Sequence, residues 1–534
     1  MLVAIQLISE SWRRFVKRSY AKNVLHAVLL PLLFVIATAC FAQVDDTPPQ
    51  LVTVHPEEVS GPIANPYMGI GLWVGPRYYG MDPQKNYTVE DVTTGFGDDA
   101  PLFNWVMVDW DWASLEPREG QFEWHDFDAV AQYWSKRGKQ LVVRLWVTDD
   151  AGWNGNPGLP VLPQWLWDKG LKSHEYVGNG GKKILEPAYT DPSFNSVYLP
   201  ELQKLLKSFA ERYDKPNTSV IFLQATGYGQ WVDWATWYSK VQFPTMKAKH
   251  EVLASVMQTY IRTFQHIPLF EMADTDWDGE RYLTLDQLLY AKALDVAEAN
   301  NFGFIWTGFI DGLGVKYDRI TMERFWHQHP IFAEGNWSYD EMKDQLSHGT
   351  MDENIAGAAD WHSNFFHLYF GPDVYKRAMR EDRPALERAL GPGGLGYRLV
   401  PTALSWPARL PAGHLLALRQ NWINRNAGRL YVAHSLKLYL TSHDGKDVFS
   451  EVNKAVNEST WVKGETYPLI SVFHLLQTIP PGTYDVRIAL VDSSGAPAIR
   501  LGIVGEDAAH RYKVGEIQIL PSDVHVKCDS AYCP

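Results

Sequence analysis

The sequence predicts a (β/α)8 barrel followed by a C-terminal, immunoglobulin-like β-sandwich. Three observations predict it. Between residues 65 and 360, apolar runs of strand length alternate about eight times with segments of helical period. The ends of those runs gather Asp, Glu, Trp or Arg, and a parallel barrel carries its functional side chains at its strand ends. Beyond the glycine-rich stretch at 391–397 the texture changes to short alternating segments broken by turns, as in a sandwich. An open doubly wound sheet is disfavoured, because no glycine-rich dinucleotide fingerprint follows the first run.

Residues 1–42 read as an export signal, with Arg13, Arg14, Lys17, Arg18 and Lys22 ahead of an apolar run from Ala27 to Ala39. Cleavage after Ala42, giving a soluble periplasmic or extracellular protein, is the expected ending. The alternative is cleavage before Cys40, which would leave a lipidated cysteine and is the only route to a membrane; Ala37 matches poorly the leucine that a lipobox wants. Residues 43–60 form an extended lead-in, 61–390 the barrel, 391–522 the sandwich and 523–534 a tail in which Cys528 and Cys533 are placed to close a small loop.

Along the barrel, strands are expected at 65–71, 102–108, 140–146, 219–225, 268–272, 303–309, 330–335 and 356–360. Helices are expected after Asp126 and over 199–213, 251–264, 285–300, 322–328 and 338–346. The third strand ends at Asp149 and Asp150, and a long loop from Ala151 to about Pro192 follows it. The last strand is expected to deliver Trp361, His362 and Asn364. In the C-terminal part, 415–422, 430–433 and 484–490 read as strands.

The 534 residues carry a formal charge of −13, and removing 1–42 takes away five positive charges and one negative, leaving about −17 (−13 − 5 + 1). That balance excludes a nucleic-acid partner and gives no basic groove for a polyanion. With three cysteines and no CxxC pair or His/Cys cluster, no zinc site and no cofactor are expected. Trp is abundant at 22 copies, many beside acids or glycines, where a flat indole can stack on a sugar ring. Most of them are nevertheless expected to fill the core.

Glycosidic bond cleavage needs two carboxyl groups flanking the bond. Counting strands, Asp233 follows the fourth and Glu334 ends the seventh, so the two are expected to face each other across the barrel mouth. Asp311, Asp274 and Asp276 are substitute carboxylates. Trp110, Trp231, Trp306 and Trp337 are candidate sugar platforms. Arg144 is expected to pair with a buried acid, Gln230 to hold a hydroxyl, Glu116 to fix loop geometry, and His362 to be a hydroxyl ligand or a rim residue.

The ordered pattern Trp110-Asp111-Trp112, Leu115-Glu116-Pro117, Glu119-Gly120, Phe122, then Arg144, then Gly227-Tyr228-Gly229-Gln230-Trp231-Val232-Asp233-Trp234 resembles the large barrel clan of retaining glycoside hydrolases. It is most similar to the β-galactosidase-like branch and its bacterial relatives with a C-terminal sandwich. The similarity covers about residues 60–520. It implies an acid/base Glu after the fourth strand and a nucleophilic Glu after the seventh. Here Gln230 and Asp233 stand where glutamates are expected, while Glu334 matches its place. The resemblance therefore implies a hydrolase of β-linked oligo- or polysaccharides, with red-algal galactans as the suggested substrates. The alternative is a glycan-binding barrel that has lost its acid.

Overall fold

The computed structural model describes residues 44–45, 50–75, 87–152, 160–232, 234–272, 292–307, 323–335, 339–344, 348–454 and 456–526. The export signal with Cys40, the C-terminal cysteines, and Asp233, Asp274, Asp276, Asp311 and Trp337 lie outside these residues. Eight parallel strands close into a barrel in chain order: Gly69–Val74 (β1), Phe103–Asp111 (β2), Gln140–Trp146 (β3), Val220–Gln224 (β4), Leu269–Met272 (β5), Gly303–Thr307 (β6), Ile331–Glu334 (β7) and Phe365–His367 (β8). Phe365 pairs with Gly69 and closes the ring. Helices His125–Ser135, Leu199–Tyr213 and Met246–Ile261 bury an apolar stripe against it.

Period-two alternation decides which side chains fill the barrel. Trp105, Phe222, Phe270, Phe332 and Phe365 form one interior layer; Trp105 meets Phe332 edge-on at 4.9 Å between ring centroids, and Phe222 stacks on Phe270 at 4.1 Å. Further along the interior faces of β1, β2, β3, β7 and β8 stand Trp73, Asp109, Arg144, Glu334 and His367, so a polar layer rests on an aromatic floor. Room for the large Trp105 indole comes from Gly71, its register partner on β1. A Cβ on Gly71 would lie 2.2 Å from that ring. Gly71→Ala should therefore cost about 1–3 kcal/mol through overpacking, read as a lower urea midpoint with an unchanged m-value.

The expected last strand at 356–360 is instead the end of a helix, Met351–Asp360. Thr350 caps it: its hydroxyl accepts from the Glu353 N–H, and the Glu353 carboxylate accepts in return from the Thr350 N–H. That Thr-x-x-Glu box is a helix-start signal, and it moves the eighth strand on to Phe365–His367.

Two further sheets follow the barrel, antiparallel except where Arg409–Pro411 pairs parallel with Tyr512–Leu520. The first runs Thr466–His474, Leu415–Asn424, Leu399–Pro407, Leu51–Val54. The lead-in thus supplies an edge strand to the C-terminal part, with Leu404 opposite Val54. The second runs Arg409–Pro411, Tyr512–Leu520, Gly482–Val491, Ser435–Thr441, Asp447–Asn453, with Pro497–Ile499 beside Gly482–Val491. Residues 430–433 are not a strand; there the Tyr431 hydroxyl donates to the Trp326 carbonyl and ties the segment to the barrel.

Candidate active site

The polar layer is a closed network. Arg144 donates from Nε to Asp109 Oδ1 (2.9 Å) and from Nη2 to Asp109 Oδ2 (3.0 Å), a bidentate fork. Its Nη1 reaches across the barrel to both oxygens of Glu334 at 3.0 Å. Trp73 Nε1 donates to Asp109 Oδ2 at 2.8 Å, which fixes the far end of the fork. The Tyr369 hydroxyl donates to Glu334 Oε1 at 2.7 Å. His367 Nε2 stands 3.0 Å from Glu334 Oε2, close but off the line of a directed bond.

Glu334 is 1% exposed and Arg144 2%. Burial alone would raise the Glu334 pKa, but the Arg144 charge, His367 and the Tyr369 hydroxyl outweigh it and hold the carboxyl well below its ordinary range. Arg144 is pushed the opposite way from what burial favours, because Asp109 and Glu334 both hold its charge. Glu334 is therefore an ionised, oriented carboxylate at the C-terminal end of β7, above an aromatic floor that keeps water away from its back.

A second buried cluster sits where the loop after β3 meets the loop after β4. Asp149 and Gln230 pair through their backbones, and the Trp231 N–H donates to the Asp149 carbonyl at 3.2 Å. The hairpin Ser173–Val177/Lys183–Pro187 lies against them. Its Tyr176 hydroxyl donates to Asp149 Oδ1, which also accepts from the Ala151 N–H at 2.8 Å. The hairpin's Glu186 accepts from the Tyr189 hydroxyl at 3.2 Å and interacts with Ser239. Burial, with Asp150 adding like charge, pushes Asp149 up to about 7 against the lowering pull of Tyr176 and Ala151. Glu186 is raised further by its own burial and by Asp149. Asp149 thus keeps, between about pH 4 and pH 7, a proton that the unfolded chain has released. Its contribution to stability is present in acid and lost as pH rises through that window. Asp149→Asn should flatten the fall in urea midpoint between pH 4.5 and pH 7.5.

The structure sorts the sequence candidates. Glu334 and Arg144 meet in the polar layer. Gln230 is fully buried, its Oε1 accepting from the Tyr238 N–H at 3.0 Å, so it braces the loop. Trp231 is partly exposed beside Tyr238. Trp110 is not at the mouth: it lies on the face of β2 opposite Asp109 and packs on Phe127 of the helix layer at 5.5 Å. Trp306 likewise faces outward, against Trp361 at 5.8 Å, as Phe304 of the same strand does against Phe325. His362 precedes β8 and so lies at the opposite end of the barrel; it stacks on Trp326 at 3.7 Å and donates through Nδ1 to the Ala427 carbonyl at 2.9 Å. Glu116 staples its loop, accepting from Trp112 Nε1 (2.8 Å) and the Gly120 N–H (2.7 Å).

Sequence reasoning missed the site roles of Asp109, Trp73, His367, Tyr369 and Glu186. The first four follow from strand alternation once β8 is correctly placed. Glu186 lies in the hairpin strand Lys183–Pro187, inside a segment whose sequence carries no clear strand period.

No protein-family model and no curated protein sequence matches the chain. Among solved structures, endo-glycoceramidase II from Rhodococcus sp. is 11% identical with a TM-score of 0.39, over 79% of this chain and 99% of that one. The catalytic domain of β-amylase from Paenibacillus polymyxa is 11% identical with a TM-score of 0.36, over 57% and 93%. An exo-β-1,4-mannosidase from Opitutaceae bacterium strain TAV5 is 13% identical with a TM-score of 0.37, over 58% and 54%. Likenesses of this degree carry neither substrate nor mechanism across.

Proposed function

We propose that the chain is a glycoside hydrolase that cleaves O-glycosidic bonds of a β-linked glycan with Glu334 as nucleophile and retention of configuration. The observation that carries this reading is the buried Glu334, held ionised and oriented by Arg144, Tyr369 and His367 at the C-terminal end of β7. A carboxylate at a glycosidic carbon must be charged and aimed to attack or stabilise it. Partners on three sides fix its oxygens, and the dry floor leaves its charge unscreened.

Asp233 is the sequence candidate for the acid/base, and Gln230, an amide, cannot transfer the proton. Among the described residues, Trp231 is the predicted sugar platform that is partly exposed. The sulfated or neutral galactans carrageenan and agar are the first substrates to try. Export by residues 1–42 would bring the enzyme to such polymers, and the two C-terminal sheets would form an accessory sandwich beside the barrel.

Digestion of a polysaccharide panel with the protein lacking residues 1–42, with NMR of the products, tests the reading. Release of oligosaccharides from at least one β-glycan is expected. Binding without any turnover across the panel would instead identify a glycan-binding barrel.

A further inference from the structure

We propose that Asp149, on the loop after β3, is the proton donor and acceptor that works opposite Glu334. The inference rests on the glycosidase reading and names a residue that neither the clan-like motif nor Asp233 supplies. In a closed ring of eight strands β3 and β7 stand opposite one another, and the Arg144–Glu334 bond spans the interior between them at 3.0 Å. The loop that continues β3 therefore rises on the wall across from Glu334, where the second carboxyl of a glycosidase has to stand. Asp149 is anchored on that wall by its backbone pairing with Gln230 and by the Trp231 N–H.

Its side chain suits the role. Oδ1 is occupied by Tyr176 and the Ala151 N–H, whereas Oδ2 has no hydrogen-bond partner among the described residues. A proton on Oδ2 is thus claimed by no acceptor among the described residues. The groups facing Asp149 are Tyr176 and Glu186 from the hairpin, Asp150 from its own loop, and the hydroxyls of Tyr189 and Tyr198. None of these is a cation that would strip the proton, and a pKa near 7 matches the requirement that an acid be protonated yet able to let go.

The step balances simply. The Oδ2 proton passes to the glycosidic oxygen as the C1–O bond breaks, while a Glu334 oxygen bonds to C1. Water then attacks C1, gives one proton back to Asp149, and Glu334 departs as the carboxylate.

The test compares Asp149→Asn, Asp233→Asn and wild type on the digested polysaccharide and on 2,4-dinitrophenyl β-glycosides of galactose, glucose, mannose and xylose, whose leaving group needs no proton. Asp149→Asn is expected to lose about 10²–10⁴-fold in kcat/KM on the polysaccharide, to stay within about fivefold of wild type in kcat/KM on the aryl glycoside while its kcat there falls for want of the base, and to lose the basic limb of the kcat/KM profile. Tyr176→Phe, which removes a hydrogen bond to the carboxylate form, is expected to move that limb to higher pH, and it keeps the test open should Asp149→Asn not fold. An unchanged limb in Tyr176→Phe, or the same substrate split in Asp233→Asn with Asp149→Asn unaffected, overturns the assignment while leaving the glycosidase reading intact. A wild type that cleaves nothing in either panel overturns both.

Discussion

Glu334→Gln is expected to abolish turnover, by on the order of 10⁴-fold or more in kcat, while the protein stays folded. The amide keeps the volume of the side chain and still offers an acceptor to Arg144 Nη1 and to the Tyr369 hydroxyl. It brings no charge to a carbon that develops positive character. Arg144 keeps its fork to Asp109, so the cation is not stranded and the polar layer holds together. The far-ultraviolet circular dichroism of the variant should match wild type. Glycan binding in the mouth should survive, which separates loss of chemistry from loss of the site.

Arg144→Met should do the opposite: it should damage the fold first and activity as a consequence. Asp109 and Glu334, both essentially unexposed, would keep two carboxylates in the interior without their shared cation. Breaking a buried ion pair from one side costs about 3–5 kcal/mol, and here one residue serves two acids. The pH dependence gives the cause. In wild type the Glu334 pKa is depressed, so its stabilising contribution is present above the unfolded carboxylate range, about 4, and is lost as pH falls towards the lower folded value. Without Arg144 the ionised form is penalised, so protonation relieves the variant. The gap in urea midpoint between variant and wild type should be wide at pH 7 and narrower at pH 4. A gap independent of pH would mean that lost packing of the long Arg stem, not charge, is responsible.

The barrel was legible in the sequence because its strands are dry on both faces and read as short apolar runs, from 105–108 to 331–333. The same feature hid the direction of the side chains. Trp110 and Trp306 sit beside polar groups in sequence, yet a period of two sends them to the helix layer while Asp109 and Glu334 turn inward. The eighth strand was misplaced because Ala356-Gly357-Ala358-Ala359 is apolar enough for a strand, whereas Thr350 and Glu353 already mark a helix start. That shift carried His362 to the wrong end of the barrel and left His367 and Tyr369 unseen. Glu334 and Arg144 were legible as strand-end groups of opposite charge; their contact is a property of barrel closure. Nothing local in residues 173–187 reveals that Glu186 folds back beside Asp149, since that contact exists only once the hairpin lies on the loop after β4.

Glu334 acting as an ionised nucleophile at a glycosidic carbon fixes the stereochemistry of the first product. Proton NMR of the anomeric signal during the first minutes of digestion, before mutarotation, tests it most directly. Wild type should release product of the same anomeric configuration as the bond cleaved, and Glu334→Gln should release none. An inverted first product, or equal release by the Glu334→Gln variant, would contradict it.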